Sequence, residues 1–176
     1  MSMPADAAEL PEDPLGEFPF DVASYFFHLS VAIARYRDAE LEKRLKPLRL
    51  NVSRYRALNV VARLEPCTMS ELARFSAVDR TTMTRVVDQL VADGLVIRTE
   101  APRDRRQVVL VLTDKGRATN AVALREVHAS NQAALAGVPE DTLRAAIRAK
   151  RRIVGNLVED EALAERLLLF RRSASD

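Results

Sequence analysis

Residues 68–113 read TMSELARFSAVDRTTMTRVVDQLVADGLVIRTEAPRDRRQVVLVLT, and the order of elements in this stretch decides the fold. Thr68 and Glu71 stand at capping-box spacing, where the hydroxyl serves one free backbone N–H and the carboxylate another. They open a short helix through Phe75. Asp79 caps a second helix that runs to about Asp93, and Gly94 supplies the left-handed residue that commonly ends one. Leu95 to Thr99 and Gln107 to Leu112 are β-prone runs, joined by a polar segment at 100–106, so the stretch closes with a hairpin.

The second helix divides into two faces. Met83, Val86, Val87, Leu90 and Val91 turn inward at helical spacing, which leaves Arg80, Thr81, Thr84, Arg85 and Asp88 outward and Thr82 at the border. Hydroxyls and guanidinium groups are the side chains that reach base edges and phosphates: Arg forks onto guanine O6 and N7, and Thr bonds an edge or touches a thymine methyl. They lie toward the N-terminal end of the helix, the end that enters a major groove in a helix-turn-helix reader. On the hairpin, Arg98, Arg103, Arg105 and Arg106 place four arginines within nine residues. Such a cationic tip suits a narrow, electronegative minor groove. Asp104 among them serves to orient a neighbouring Arg through a bidentate pair. The expected architecture is mainly α with a small β-hairpin wing, a winged helix-turn-helix domain joined to a helical dimerisation domain.

Outward from this core, Asn51 caps a helix whose buried stripe is Tyr55, Leu58, Val61, Ala62 and Leu64, ended by Pro66. Before it, Val22, Tyr25, Phe26, Leu29, Ala32, Ile33, Tyr36 and Leu41 recur at helical spacing to about Leu45, and Pro47 stops that helix. Beyond the hairpin, Thr113 caps a fifth helix to about Ala136. Pro139, Glu140 and Asp141 open a sixth with the stripe Leu143, Ile147, Ile153, Val154 and Leu157. A last short helix holds Leu163, Leu167 and Phe170. The domain reading is an acidic, Pro-rich flexible arm at 1–19, a helical dimerisation region at 20–48 and 113–172, and the winged reader at 49–112. The first helix and the C-terminal pair are too apolar to lie bare on so small a reader, which predicts a homodimer.

The net charge of +2 conceals an asymmetry. Residues 1–21 carry six acids (Asp6, Glu9, Glu12, Asp13, Glu17 and Asp21) and no Lys or Arg. Without them, 19 of the 25 acids face all 27 basic side chains, so residues 22–176 carry +8. That balance favours a polyanionic partner without requiring one. The single Cys67 forms no intramolecular disulfide and reads as a small structural residue. With no basic-then-apolar leader at the N-terminus, it predicts a cytoplasmic protein. No apolar run approaches the roughly 20 residues that cross a bilayer, so no membrane partner is expected.

Catalysis is not expected. The five glycines build no phosphate-cradling loop, His28 and His128 are far apart, and there is no G-x-S-x-G elbow. One cysteine cannot make a Cys-rich metal site, so neither a cofactor nor a metal is called for. Two non-enzymatic alternatives compete with a sequence-specific reader. A helical protein-interaction module on the same fold would need exposed apolar anchors where this helix face is polar. A non-specific architectural DNA binder would show steep salt dependence without discrimination.

Three stretches carry a family resemblance: residues 50–58 (LNVSRYRAL), residues 78–90 (VDRTTMTRVVDQL) leading to 94–96 (GLV), and residues 103–106 (RDRR) followed by Leu112 and Thr113. In these the chain resembles the MarR family of bacterial regulators across most of residues 20–160. The resemblance implies a triangular homodimer in which the first, fifth and sixth helices interlock and each subunit presents one winged reader to a pseudopalindromic operator in double-stranded DNA, most often as a repressor. It places major-groove contacts on Thr81, Thr82, Thr84 and Arg85, and the wing arginine on Arg106, steadied by Asp104. It also implies a small aromatic or phenolic ligand that releases the DNA, with His28, Tyr36, Arg56 and Arg63 as candidate contacts. The acidic arm before Phe18 and the extra helix after Asp160 depart from the pattern. Arg106→Ala is expected to lower the salt slope of DNA binding by about one unit through loss of one released counterion, and an unchanged slope would leave the wing in solvent.

Overall fold

The structure, a computed structural model, describes residues 21–76, 80–101 and 104–159, with the side chains of residues 74, 76, 80, 81 and 104–106 outside the description. The arm at 1–19, the Asp79 cap, Arg103 and the helix of Leu163, Leu167 and Phe170 lie outside the described residues. The chain divides into two compact units, Met1–Ala39 and Glu40–Asp176.

In the first unit, helix α1 (Val22–Leu45) begins and then continues past Ala39. Asp21 starts it: its carboxylate accepts from the Ser24 amide at 2.9 Å and from the Ser24 hydroxyl at 2.8 Å. Those two bonds, the amide's above all, hold the Asp21 carboxyl below the usual range. Of the apolar positions read as one stripe, Val22, Leu29, Ile33 and Tyr36 are exposed, and Phe27 and Val31 are exposed beside them.

The second unit holds the core. After Leu45 a 3-10 turn (Lys46–Leu48) ends at Arg49, whose φ of 55° turns the chain toward α2 (Val52–Leu64). Asn51 caps α2 as expected, its side chain accepting from the Arg54 amide at 2.8 Å. A short strand β1 (Cys67–Thr68) leads into α3 (Met69–Ser76), and the capping box is formed: the Thr68 amide donates to Glu71 at 2.7 Å and the Glu71 amide donates to Thr68 Oγ1 at 3.2 Å. Then follow α4 (Arg80–Ala92), β2 (Val96–Ala101), β3 (Asp104–Leu112), α5 (Asp114–Ala134) and α6 (Glu140–Leu157). Thr113 caps α5 by accepting from the Gly116 amide at 2.9 Å.

The sheet differs from the expected hairpin in two respects. It has three antiparallel strands in the order β1-β3-β2, with Cys67 opposite Leu110 and Thr68 opposite Val109. The wing strands also reach further than expected: Glu100, Ala101 and residues 104–106, expected in a polar loop, are strand, with an irregularity between Glu100 and Ala101. Backbone pairing carries the ladder outward to Ala101, which is buried at that end.

Leu58, Val61, Leu72, Met83, Val87, Leu90, Val96 and Leu110 meet in one fully enclosed cluster, which fastens α2, α3 and α4 to the sheet. Cys67 is equally enclosed within that cluster. At its edge Glu65, following α2, accepts from the Leu112 amide at 3.1 Å and from Nη1 and Nη2 of Arg117, each at 2.7 Å. A fork of this kind ties the end of α2, the end of β3 and the start of α5 together. The hydrogen bonds to Glu65, and then its charge, raise the Arg117 pKa above the ordinary arginine value.

Gly116 completes the joint. A Cβ placed there would lie 1.9 Å from the Leu95 carbonyl oxygen, so the first turn of α5 sits directly on the backbone between α4 and β2. Gly116→Ala should therefore destabilise the folded chain by about 1–3 kcal/mol, the usual cost of overpacking, read as a lower urea midpoint at unchanged m-value.

Candidate nucleic-acid interface

Helix α4 keeps the two faces its sequence specifies. Met83, Val87 and Leu90 are fully buried, and Val86 nearly so. Thr84, Arg85 and Asp88 are exposed, and Thr82, placed at the border by its spacing, is exposed with them. Arg80 and Thr81 lie in the first turn of the same helix. The described part of the outer face thus brings two hydroxyls and a guanidinium group to one side of a helix whose other side is anchored in the core. Such an arrangement presents donors and acceptors at fixed spacing to an edge that carries complementary groups.

The C-terminal end of α4 is held from three directions. Gly94 takes the expected left-handed conformation (φ 68°), with its amide donating to the Val91 carbonyl and that of Leu95 to the Leu90 carbonyl, both at 2.9 Å. This is a Schellman closure. The Asp93 carboxylate pairs with Arg54 of α2, whose guanidinium also donates to the Arg49 carbonyl at 2.7 Å. From α5, Lys115 donates to the Asp93 carbonyl and Thr113 Oγ1 to the Gly94 carbonyl, at 2.8 and 2.7 Å. The helix that offers Thr84 and Arg85 cannot slide along its axis without breaking these bonds.

The hairpin lies beside α4 in a way the sequence did not disclose. Arg98, counted among the tip arginines, sits on the body of β2, and its Nη2 donates to the Asp88 carboxylate of α4 at 2.6 Å. Asp88 and Arg98 are ten residues apart, and the reversal at Gly94 brings them face to face. Asp104, Arg105 and Arg106 fall in β3 near its turn, paired toward Ala101. Ile97 and Val108 are the exposed apolar residues of the described hairpin.

The candidate ligand contacts fall in two places. His28 and Tyr36 are exposed on the part of α1 in the first unit, where the Arg35 guanidinium carbon is 5.8 Å from the Tyr36 ring centre. Arg56, half-buried, and Arg63, exposed, are on α2 in the second. Among the described residues no group of His, Cys, Asp and Glu is placed to hold a metal ion, and no helix is long and apolar enough to cross a membrane.

A family model described as MarR family matches residues 50–107, the span from α2 through most of the wing. The chain is 30% identical over 105 residues to the HTH-type transcriptional repressor NicR of Pseudomonas putida, a match covering 60% of this chain and 66% of that protein. Among solved structures, the transcriptional regulator PA3341 is 30% identical, with a TM-score of 0.70 over 76% of this chain and 98% of the other. A MarR family regulator from Silicibacter pomeroyi is 26% identical, with a TM-score of 0.69 over 80% and 95%. With a polar-faced α4 beside an arginine-bearing hairpin and with these relatives, the chain belongs to the MarR family, whose members are transcriptional regulators and not enzymes.

Proposed function

We propose that the chain is a repressor that binds a pseudopalindromic operator in duplex DNA as a homodimer, with residues 49–112 as the reader and 20–48 and 113–172 as the dimerisation region. The observation that carries this reading is the division of α4: Met83, Val87 and Leu90 fully buried, Thr82, Thr84 and Arg85 exposed on the opposite side. In the complex Thr81, Thr82, Thr84 and Arg85 meet base edges, Arg80 a flanking phosphate, and Arg103, Arg105 and Arg106, with Asp104 as orienting group, the minor groove. The repressor sense is supported by the name of the Pseudomonas putida relative.

Support for two copies comes from apolar helix faces that the described residues leave exposed. No α6 side chain is buried in the single chain, although Leu143, Ile147, Val154 and Leu157 share one side of it. Val22, Leu29, Ile33 and Tyr36, exposed on one side of α1, make a second such surface. Soluble monomers rarely leave contiguous apolar faces of this kind bare. Sedimentation is expected to show a dimer at micromolar concentration, and a monomer there would remove this part of the proposal.

The effector we propose is a small aromatic acid whose carboxylate is recognised by Arg56 and Arg63, both on α2. Titration with salicylate should weaken DNA binding by the parent and have less effect on an Arg56→Gln/Arg63→Gln variant. For the reader itself, Arg85→Ala should weaken specific binding by about 1–3 kcal/mol and relax base preference, the worth of one bidentate base contact. Because Arg85 is on the surface, its loss should leave folding stability within about 0.5 kcal/mol. A gel shift with the region upstream of the chain's own gene at low ionic strength tests the whole reading, and absence of any shift would overturn it.

A further inference from the structure

We infer that Asp88 is a specificity-determining residue that withholds Arg98 from the DNA backbone. The inference rests on the DNA-reading function proposed above and assigns a task to a pair that function leaves unused.

Asp88 stands on the exposed side of α4, three residues after Arg85 and four after Thr84, so the three share one helix face. A carboxylate there faces the same polyanion that Thr84 and Arg85 are built to meet, and alone it would repel phosphate. It is not alone. Arg98 reaches across from β2 and closes a charge-assisted hydrogen bond of 2.6 Å, with both side chains still open to solvent, 54% for Asp88 and 40% for Arg98. An unengaged arginine at that position, with five donors in a fork, would take a phosphate oxygen. Phosphate contacts strengthen binding to every sequence alike and carry no discrimination. By occupying Arg98, Asp88 removes one such contact and makes the middle of the reading surface locally neutral. The sequence-independent part of the affinity falls, and the contacts of Thr84 and Arg85 make up a larger share of what remains. Because the pair is exposed, it adds little to folding, and either member can be replaced without losing the fold.

The test is a double-mutant cycle in the full-length protein with Asp88→Asn, Arg98→Gln and the two combined. Kd is measured for a mixed-sequence duplex and for the tightest duplex recovered by in vitro selection, each across a salt series. Asp88→Asn should tighten mixed-sequence binding roughly fivefold and steepen its salt slope by about 0.9, the value for one more neutralised phosphate, while the ratio of selected to mixed affinity falls. Arg98→Gln should keep the parent's slope, and Asp88→Asn should tighten binding far less in the Arg98→Gln background than in the parent. Three results would overturn the inference: no change in Asp88→Asn; the same tightening in the Arg98→Gln background, which would mean simple repulsion by Asp88; or a shallower slope in Arg98→Gln, which would put Arg98 already on phosphate. Failure of the parent to bind any duplex would instead bring down the DNA-reading function, so the two failures are told apart.

Discussion

Everything that gives this chain a usable surface depends on one side of α4 staying dry. Met83, Val87 and Leu90 enter the same enclosed cluster as Leu58, Leu72 and Leu110, contributed by α2, α3 and the sheet. A helix of 13 residues is marginal by itself in water. Burial of those three side chains, each worth roughly 1.5–3 kcal/mol, is what makes it permanent and what fixes which residues point outward. The polar face is therefore a by-product of the apolar one, since α4 cannot rotate to hide Thr84 without bringing Met83 into water.

Around that constraint the polar contacts set position where the apolar ones set orientation. Glu65 and Asp93 both bond to the first turn of α5, and each gathers three elements. Glu65 joins α2, β3 and α5, and Asp93 joins the end of α4 to Arg54 of α2 and Lys115 of α5. Hydrophobic packing is tolerant of small slides, whereas a fork or a carbonyl contact at 2.7 Å is not. The division of labour suits a surface whose usefulness depends on spacing.

Much of this was legible in the sequence because it is written in local chemistry. Asn51, the Thr68 and Glu71 pair, Gly94 and Thr113 each act on backbone groups within a few residues, and every one of them does in the structure what its type and spacing require. The inward residues of α4 were legible for the same reason. What escaped notice is non-local. Two residues, Cys67 and Thr68, have no periodicity to betray a strand, and β1 exists because Leu110 and Val109 lie alongside, more than forty positions on. The true length of the wing was hidden because its outer rungs, Glu100 opposite Val108 and Ala101 opposite Asp104, lie in a stretch rich in charge that reads as loop. Arg98 was grouped with the tip on sequence proximity, and only the fold shows that its partner is on α4. Of the residues proposed to read DNA, Thr82, Thr84 and Arg85 are exposed on α4, on the side their spacing requires.

The contact between Gly116 and the Leu95 carbonyl has a mechanical consequence. Two backbones touching with no side chain between them form a joint without play: there is no soft group to compress and no rotamer to change. A tilt of the first turn of α5 is passed undiminished to the corner where α4 gives way to β2. Whatever moves the long helix thereby steers the short one.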